Sequence, residues 1–422
     1  MNKQITFATR LALAGMLLVF FSGCFKDNCT HTYTLYMPVY KSLTEARKNM
    51  KSNAPIALQK TGKIYIYGNY IFLNEPDMGI HVIDNSQPSN PKNIAFINIP
   101  GNVDLAVKGN TLYADSYNDL VAFDISNPRQ VVAKNFLNNV FPENKRFYHY
   151  AYGVTSNPDS VFVAVEWIEK DTTVDCETYQ YLYNNFYASA SADSKGYYSA
   201  PPSGMGGSMA RFTLVNDFLY TVSTSNLSTF NLYYPPHPIL EGTKNIGWGI
   251  ETIYPFKDNL FIGSTTGMFI FGLSNPSDPM QIGNFNHATS CDPVIADDKF
   301  AYVTLRTGTN CRGVSNLLDV INIDNINAPS LVKTYPLTNP HGLSKDENLL
   351  FICDGDDGLK VFDASNPFDL KVLKKISGMK PFDVIAWNKR ALVVAEDGLY
   401  QFDYSNVNDI RLLSKISLNK KS

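Results

Sequence analysis

Seven residues that could bind a cation or a polar ligand fall at equivalent places in a series of short predicted strands. Each lies just before or at the start of the first strand of its unit: Asp104, Tyr152, Arg211, Glu251, Asp292, His341 and Asp383. Carboxylate oxygens are suitable ligands for a cation, and the same set could orient a polar ligand. The alternative is structural, because an aspartate in such a place can accept hydrogen bonds from the backbone of the adjoining unit.

A second candidate binding region is rich in tyrosine. Residues 177–200 combine aromatic rings with Ser, Asn, Gly and Ala, and the aromatic residues are Tyr179, Tyr181, Tyr183, Phe186, Tyr187, Tyr197 and Tyr198. Such rings give contact area at low entropic cost and offer hydroxyls for hydrogen bonds, so they could stack on a sugar or hold a partner protein. Alternatively, the loop packs its own tyrosines onto the rest of the protein. Both interpretations stay open, but if the protein binds a ligand this insertion is the favoured region, since loops on a rigid scaffold often carry function.

The sequence supports enzymatic activity and calcium binding less well than it supports the binding of a ligand. The acidic turns at 354–358 (DGDDG) and 396–398 (EDG) look like calcium loops, but Asp-Gly turns also serve β-hairpins and no glutamate follows at EF-hand spacing. Nucleophile-elbow, zinc-helix, phosphate-loop and dinucleotide motifs are missing from the sequence, so no cofactor is expected apart from a cation at the first set of residues. The alternative function is a carbohydrate-active hydrolase, because glycoside hydrolysis needs only two suitably spaced carboxylates. The candidates are Asp104, Glu251, Asp292 and Asp383.

The elements that must position these residues form a repeat. An apolar strand ends in Asp-x-Ser-Asn-Pro or a close relative, as in VAFDISNP (121–128), FIFGLSNP (269–276) and VFDASNP (361–367). The copies recur about every forty residues. The predicted strands are rich in Val, Ile, Phe and Tyr, and apolar and polar residues alternate along them. We therefore predict an all-β propeller of four-stranded antiparallel blades, with eight blades preferred and seven as the alternative. The doubtful unit is at 150–200, which lacks the Ser-Asn-Pro turn.

The N-terminus predicts export and a lipid anchor. Lys3 and Arg10 precede the apolar stretch 11–21, and Phe-Ser-Gly-Cys (21–24) follows. This arrangement predicts cleavage of residues 1–23 and lipidation of Cys24, so the membrane is one expected partner. We predict a lipid-anchored protein of the cell envelope, with the outer membrane preferred. Residues 24–59 then form a tether with a short strand and helix, and 60–418 form the propeller, with an insertion at about 141–210.

Composition limits the remaining partners. The chain has 36 basic and 39 acidic residues and no basic run beyond Lys420-Lys421, so a nucleic acid is not expected. A glycan or an envelope protein is the expected ligand. Outside the cytoplasm disulfides are permitted, and Cys291 and Cys311 are a candidate pair within one unit.

These motifs resemble a known family. The DISNP and DASNP turns, the hairpin DGDDGLKVFD (354–363) and the aliphatic strands are similar to LVIVD-repeat β-propellers. The leader followed by THTYTLYMPVYKSLTEAR (30–47) resembles LVIVD-repeat lipoproteins of Bacteroidetes. The resemblance implies a propeller and an exported location, and it implies no reaction or catalytic set.

Overall fold

The computed structural model describes residues 30–142, 148–150, 161–175, 204–286, 293–307 and 316–419. Several predicted features therefore lie outside the described residues: the signal peptide, Cys24, Tyr152, Asp292, Cys291, Cys311 and the tyrosines between 179 and 198. The chain divides into two compact units. The first takes residues up to Met37 together with Trp167–Ser194, and the second takes Pro38–Glu166 and Lys195–Ser422. Among the described residues, none belongs to a helix long and apolar enough to cross a membrane.

The N-terminal segment contains the strand β1 (Thr30–Ser42), the helix α1 (Leu43–Lys48) and the strand β2 (Ser52–Asn53). The helix begins at Ser42, whose Oγ accepts a hydrogen bond from the Glu45 N–H at 3.2 Å. This satisfies one of the amides that a helix leaves unpaired at its N-terminus.

Seven antiparallel meanders of four strands, which we number as blades 1 to 7, form the second unit. Blade 1 comprises β3 (Ile64–Tyr67), β4 (Tyr70–Glu75), β5 (Gly79–Asp84) and β6 (Lys92–Asn98). Blade 2 comprises β7 (Leu105–Lys108), β8 (Thr111–Ser116), β9 (Asp119–Asp124) and β10 (Val132–Leu137). Between blades 2 and 3 the chain forms β11 (Tyr148–Tyr150), β12 (Val161–Asp175) and β13 (Met205–Gly206).

Blade 3 comprises β14 (Phe212–Val215), β15 (Phe218–Val222), β16 (Asn226–Asn231) and β17 (Ile239–Asn245). Blade 4 comprises β18 (Ile250–Phe256), β19 (Asn259–Ser264), β20 (Gly267–Gly272) and β21 (Met280–Asn286). Blade 5 comprises β22 (Val294–Ala296), β23 (Phe300–Leu305), β24 (Leu317–Asn322) and β25 (Ser330–Pro336).

Blade 6 comprises β26 (Leu343–Asp346), β27 (Leu349–Cys353), β28 (Leu359–Asp363) and β29 (Lys371–Ile376). Blade 7 comprises β30 (Pro381–Trp387), β31 (Arg390–Ala395), β32 (Gly398–Asp403) and β33 (Arg411–Ser417). Two short 3₁₀ helices, Gly355–Asp357 and Val407–Asp409, lie in turns of these two blades.

The blades form a closed ring with the first strand of each blade innermost. First strands of successive blades contact each other, whereas the fourth strands of blades 3, 5 and 6 are largely exposed. The ring closes where Ile64 and Ile66 of blade 1 share an apolar cluster with Ile385 and Leu392 of blade 7. Asn85 and Gln401 add a reciprocal amide pair across the same junction, with N–O distances of 3.0 and 2.8 Å.

The all-β propeller of four-stranded antiparallel blades is confirmed. The eight predicted units correspond to eight sheets in the described part of the chain, but the unit at 150–200 departs from the meander. There β1, β12 and β11 form a sheet of three strands, so seven units have the four-strand pattern. The missing Ser-Asn-Pro turn marked this unit in the sequence.

The repeated Asp-x-Ser sequence is an Asx turn after the third strand of a blade. The Asp124 carboxylate accepts a hydrogen bond from the Ser126 N–H at 2.9 Å. The same bond recurs at Asp84, Asp363 and Asp403. Hydrogen bonds from the serine lower the pKa of these aspartates, so they are ionised when the turn forms.

The proline of the turn connects neighbouring blades through its carbonyl. Hydroxyl donors of one blade reach the turn of the next: Tyr113 to Pro235 (2.8 Å), Tyr220 to Pro276 (2.7 Å), Tyr335 to Pro367 (2.9 Å) and Ser414 to Pro88 (2.7 Å). The last of these bonds joins blade 7 to blade 1. The repeated turn therefore both ends a strand and fixes the adjacent blade.

Candidate functional site

The centre of the ring is crossed by residues 204–211 (GMGGSMAR), which we call the axial strap. The strap begins as β13, which pairs with the inner strand β3 of blade 1. Ser208 then reaches blades 6 and 7, where its N–H and Oγ donate to Asp383 and its Oγ accepts from the Leu343 N–H. The Ala210 carbonyl accepts from Ile253 of blade 4 at 2.7 Å. An eight-residue segment can touch this many blades only along their common axis.

Small residues let the strap approach the blades closely. A Cβ built on Gly207 would lie 1.7 Å from Oδ2 of Asp383, and one on Gly342 would lie 2.3 Å from Oδ1 of the same side chain. No heavier residue fits at either place without displacing the carboxyl group. Met209 and Ala210 are each 3% exposed, so the strap is part of the interior.

Asp383 is the acceptor that fixes the strap in blade 7. Its Oδ1 receives the Ser208 N–H at 3.1 Å, the Ser208 Oγ at 3.3 Å and its neighbour Val384 N–H at 3.0 Å. Its Oδ2 is buried and has no hydrogen-bond partner in the described part of the protein. Burial raises the pKa of Asp383 to about 8, with the Ser208 and Val384 hydrogen bonds opposing the shift. Asp383 therefore holds a proton at neutral pH.

A buried group of charges fixes the other end of the strap. Asp104 accepts the Arg211 N–H at 2.8 Å, and its Oδ2 lies 3.5 Å from Lys63 Nζ. Burial raises the pKa of Asp104, which the charge of Lys63 counteracts. Burial also lowers the pKa of Lys63 to about 7, against the attraction of the aspartate.

Asp115 supports Asp104 from the next strand. Its Oδ1 receives hydrogen bonds from the Val103 N–H, the Asp104 N–H and the Asn102 side-chain amide, all between 2.7 and 2.8 Å. Burial raises the pKa of Asp115 to about 7, and these N–H donors oppose the rise. The cluster orders the backbone that carries Asp104, and that backbone begins blade 2.

His341 and Glu251 are the other members of the predicted set that the structure describes. The His341 ring contacts Phe382 edge to face at 5.5 Å, and its carbonyl accepts from Thr304 Oγ1 at 2.7 Å. Glu251 lies in β18, two residues before the amide that binds the Ala210 carbonyl. Thus Asp104 and Asp383 bind the strap directly, Arg211 is part of it, and Glu251 and His341 each lie two residues before an amide that donates to it.

Two partners of these residues were missed by the sequence interpretation. Lys63 precedes the inner strand of blade 1 just as Asp104 precedes that of blade 2. Lys63 and Asp104 are 41 residues apart, which is also the interval between the equivalent second-strand residues Ile71 and Leu112. The repeat spacing could therefore have identified Lys63. Ser208 had no comparable signal, because it lies within the insertion and outside any repeat.

The acidic turns are neutralised by lysines. Lys360 pairs with both Asp354 and Asp357, and Lys375 pairs with Asp357 at 2.6 Å. Asp397 pairs with Lys415 at 2.6 Å. These ion pairs are typical of charged hairpins. No group of three or more His, Cys, Asp or Glu residues suited to a metal ion occurs among the described residues.

The arrangement at the axis favours structural hydrogen bonding over chemistry on a substrate. Asp104 and Asp383 are 2% and 1% exposed, and each accepts backbone N–H groups from elsewhere in the chain. A glycosidase instead directs its two carboxyl groups at a bond of the substrate. Both aspartates therefore act as acceptors for backbone N–H groups, which is the structural role considered for this position in the sequence.

Comparison with known proteins supports the fold. LVIVD repeats are found at residues 59–96, 101–135 and 342–373, which coincide with blades 1, 2 and 6. The search of curated proteins finds no similar sequence.

Solved structures extend the likeness to most of the chain. The periplasmic gluconolactonase PpgL of Pseudomonas aeruginosa is 13% identical with a TM-score of 0.55, over 85% of this chain and 97% of that one. A protein from Lactobacillus plantarum is 12% identical with a TM-score of 0.54, over 85% and 97%. The computationally designed Ika8 protein is 8% identical with a TM-score of 0.51, over 87% and 92%. At these identities the likeness concerns the fold alone.

Proposed function

We propose that this protein is a lipid-anchored β-propeller of the cell envelope that acts as a binding or scaffolding module for a glycan or a protein. The observation that carries the proposal is the axial strap, which crosses the place where a propeller enzyme would hold its substrate. A ligand then meets the faces and rims of the ring. Two of the four candidate carboxylates, Asp383 and Asp104, accept hydrogen bonds from the backbone of Ser208 and Arg211, which supports binding over hydrolysis.

The lipid anchor rests on the leader and Cys24. Labelling of the expressed full chain with a radioactive fatty acid tests it, with Cys24→Ser as the matched variant. We expect label and membrane association in the original chain, and a soluble, unlabelled protein in the variant. Equal membrane association of both proteins would contradict a lipid at Cys24.

The binding role rests on the tyrosine-rich insertion together with the closed axis. The full chain, purified in a detergent without a sugar headgroup, would be applied to glycan arrays and to isolated cell envelopes. We expect saturable binding that weakens when Tyr179, Tyr181 and Tyr183 are replaced by serine. A folded protein that binds neither preparation would contradict the module. Release of reducing sugar that disappears in Asp383→Asn would instead favour the hydrolase.

A further inference from the structure

A cavity of about 240 Å³ lies between blade 2 and blade 3, and no residue of the axial strap lines it. Its walls come from the segment after β10, from the turn between β15 and β16, and from β16 and β17 of blade 3. The lining residues are Asn139, Val140, Phe141, Pro142, Ser223, Asn226, Ser228, Leu240 and Thr243. We call this cavity the blade 2–3 cleft. Pockets for drug-sized molecules begin at about 300 Å³, so the cleft suits a smaller ligand.

The lining indicates the chemistry of that ligand. None of the described lining residues is ionisable, so no charged group of a ligand would find a counter-ion there. Five of them carry a neutral amide or hydroxyl, and the rest are apolar. Such a surface can bind a ligand that combines several hydroxyls with apolar C–H faces, because each hydroxyl needs a partner and each C–H face needs contact.

Several donors in the cleft are left available. Asn139 Oδ1 accepts from the Asn118 amide at 3.4 Å, and Asn226 Oδ1 accepts from the Asn245 amide at 3.4 Å. Neither Asn139 nor Asn226 has a hydrogen bond from its own side-chain NH₂ group to any residue that the structure describes. The oxygens are thus engaged within the protein, and the NH₂ groups can donate to a ligand.

Hydroxyl groups supplement these amides. Ser223 Oγ accepts the Asn226 N–H at 3.2 Å, which leaves the Ser223 O–H as a donor. The hydroxyls of Ser228 and Thr243 lie 2.9 Å apart and share one hydrogen bond, so one O–H of the pair is still free to donate. Hydrogen-bond donors therefore line the cleft both on the blade 2 side, at Asn139, and on the blade 3 side.

The walls of the cleft are held in place before any ligand binds. The Asn139 N–H donates to Asp119 at 2.9 Å, and the Phe141 N–H donates to the Asn118 carbonyl at 2.9 Å. The Phe141 ring stacks on Phe212 of blade 3 with centroids 5.7 Å apart. A site fixed in this way binds without the cost of ordering its loops.

We propose that the blade 2–3 cleft binds one uncharged sugar residue of a glycan. This inference rests on the proposed binding function and names the ligand class and the site. Phe141 and Pro142, the first residues of the predicted insertion 141–210, line the cleft, so a glycan held there would lie beside the start of that insertion.

The test is calorimetric titration of the full chain, in a detergent that carries no sugar, with glucose, galactose, mannose and N-acetylglucosamine separately. We expect at least one sugar to bind saturably. Asn226→Ala and Asn139→Ala should each lower the affinity for that sugar about tenfold, because each removes a hydrogen-bond donor. The matched control is Asn284→Ala, which replaces an exposed asparagine in the outer strand of blade 4, whose side-chain amide donates to Asn286.

Two results would overturn the proposal: binding of none of the four sugars by the folded protein, or binding that both cleft variants leave unchanged. Titration with glucuronate adds a separate check, since a cleft without a counter-ion should bind glucuronate more weakly than glucose. The general binding function is measured independently on isolated envelopes. If Asn226→Ala loses no envelope binding while no sugar binds, the cleft proposal fails and the module stands.

Discussion

Ser208 and Asp383 lie 175 residues apart in sequence, yet both donor groups of the serine bind one carboxyl oxygen of the aspartate, at 3.1 and 3.3 Å. The serine belongs to the axial strap, and the aspartate belongs to the last blade of the ring. Through this contact, a segment that follows blade 2 in the chain is fixed against the blade that comes last in the sequence. The axis of the propeller is thereby filled by the protein itself.

The contact predicts energetic coupling between the two residues. Ser208→Ala removes one donor to Asp383 and leaves the Leu343 N–H without its acceptor, so we expect it to lower the free energy of unfolding by about 1–3 kcal/mol. Asp383→Ala should do the same, and the double variant should lose less than the sum of the two. Chemical unfolding of the four proteins measures this, and strict additivity would show that the two residues do not interact.

Close approach at Gly207 predicts a second effect. Gly207→Ala places a methyl group 1.7 Å from Asp383 Oδ2, so the strap or the carboxyl must move, and we expect a loss of about 1–3 kcal/mol. Gly242→Ala is the control, since no atom lies within 4 Å of the added methyl. Melting temperatures of the two variants measure the difference. Similar values for both would argue against a tightly packed strap.

The raised pKa of Asp383 predicts a dependence of stability on pH. Its pKa is about 8 in the folded protein and about 4 in the unfolded chain, so the folded state holds the proton more tightly between these values. Its stabilising contribution is complete below about pH 4 and is lost as pH rises to 8. Burial of Lys63 acts in the opposite sense above pH 7, so the comparison must be made against a variant.

Asp383→Asn supplies that variant, because an amide cannot ionise and its oxygen can still accept the Ser208 donors. Unfolding of both proteins in urea at pH 5, 6, 7 and 8 gives the difference. We expect the original protein to lose stability relative to Asp383→Asn at each step, by up to about 1.4 kcal/mol per pH unit. Parallel pH profiles would mean that Asp383 is ionised in the folded state.

The contact between blades through proline carbonyls gives another prediction. The Tyr335 hydroxyl donates to the Pro367 carbonyl and accepts the Leu370 N–H at 3.0 Å. Tyr335→Phe removes both bonds and leaves a backbone amide unpaired, so we expect a loss of about 1–3 kcal/mol. Tyr233→Phe is the control, because Tyr233 is 74% exposed and should tolerate the change. Equal unfolding midpoints for the two variants would show that the contact contributes little.

The blades were predictable because their signals are local. The Asx turn needs only an Asp or Asn two residues before its N–H donor, and a proline follows shortly after, so the turn is visible in the local sequence. The convergence of Asp104 and Asp383 also followed from the repeat, since equivalent positions of a closed ring face the same axis.

The strap was not predictable by the same means. Its sequence, GMGGSMAR, has no periodicity and reads as a flexible loop. Its role depends on the closed ring, in which blade 7 meets blade 1 at contacts such as that of Gln401 with Asn85. Small residues such as Gly207 are needed there because of neighbours distant in sequence, and a local pattern carries no record of them. For the same reason, the prediction of a channel mouth lined with carboxylates did not anticipate a filled axis.

Hydrogen exchange followed by mass spectrometry tests the filled axis most directly. In the purified full chain, the amides of Ser208 and Arg211 donate to Asp383 and Asp104, so peptides covering 204–211 should exchange as slowly as those of the inner strands β7 and β30. Asp383→Ala should accelerate exchange in that peptide before it affects the outer strands. Exchange of 204–211 at the rate of an unstructured peptide in the folded original protein would contradict the account.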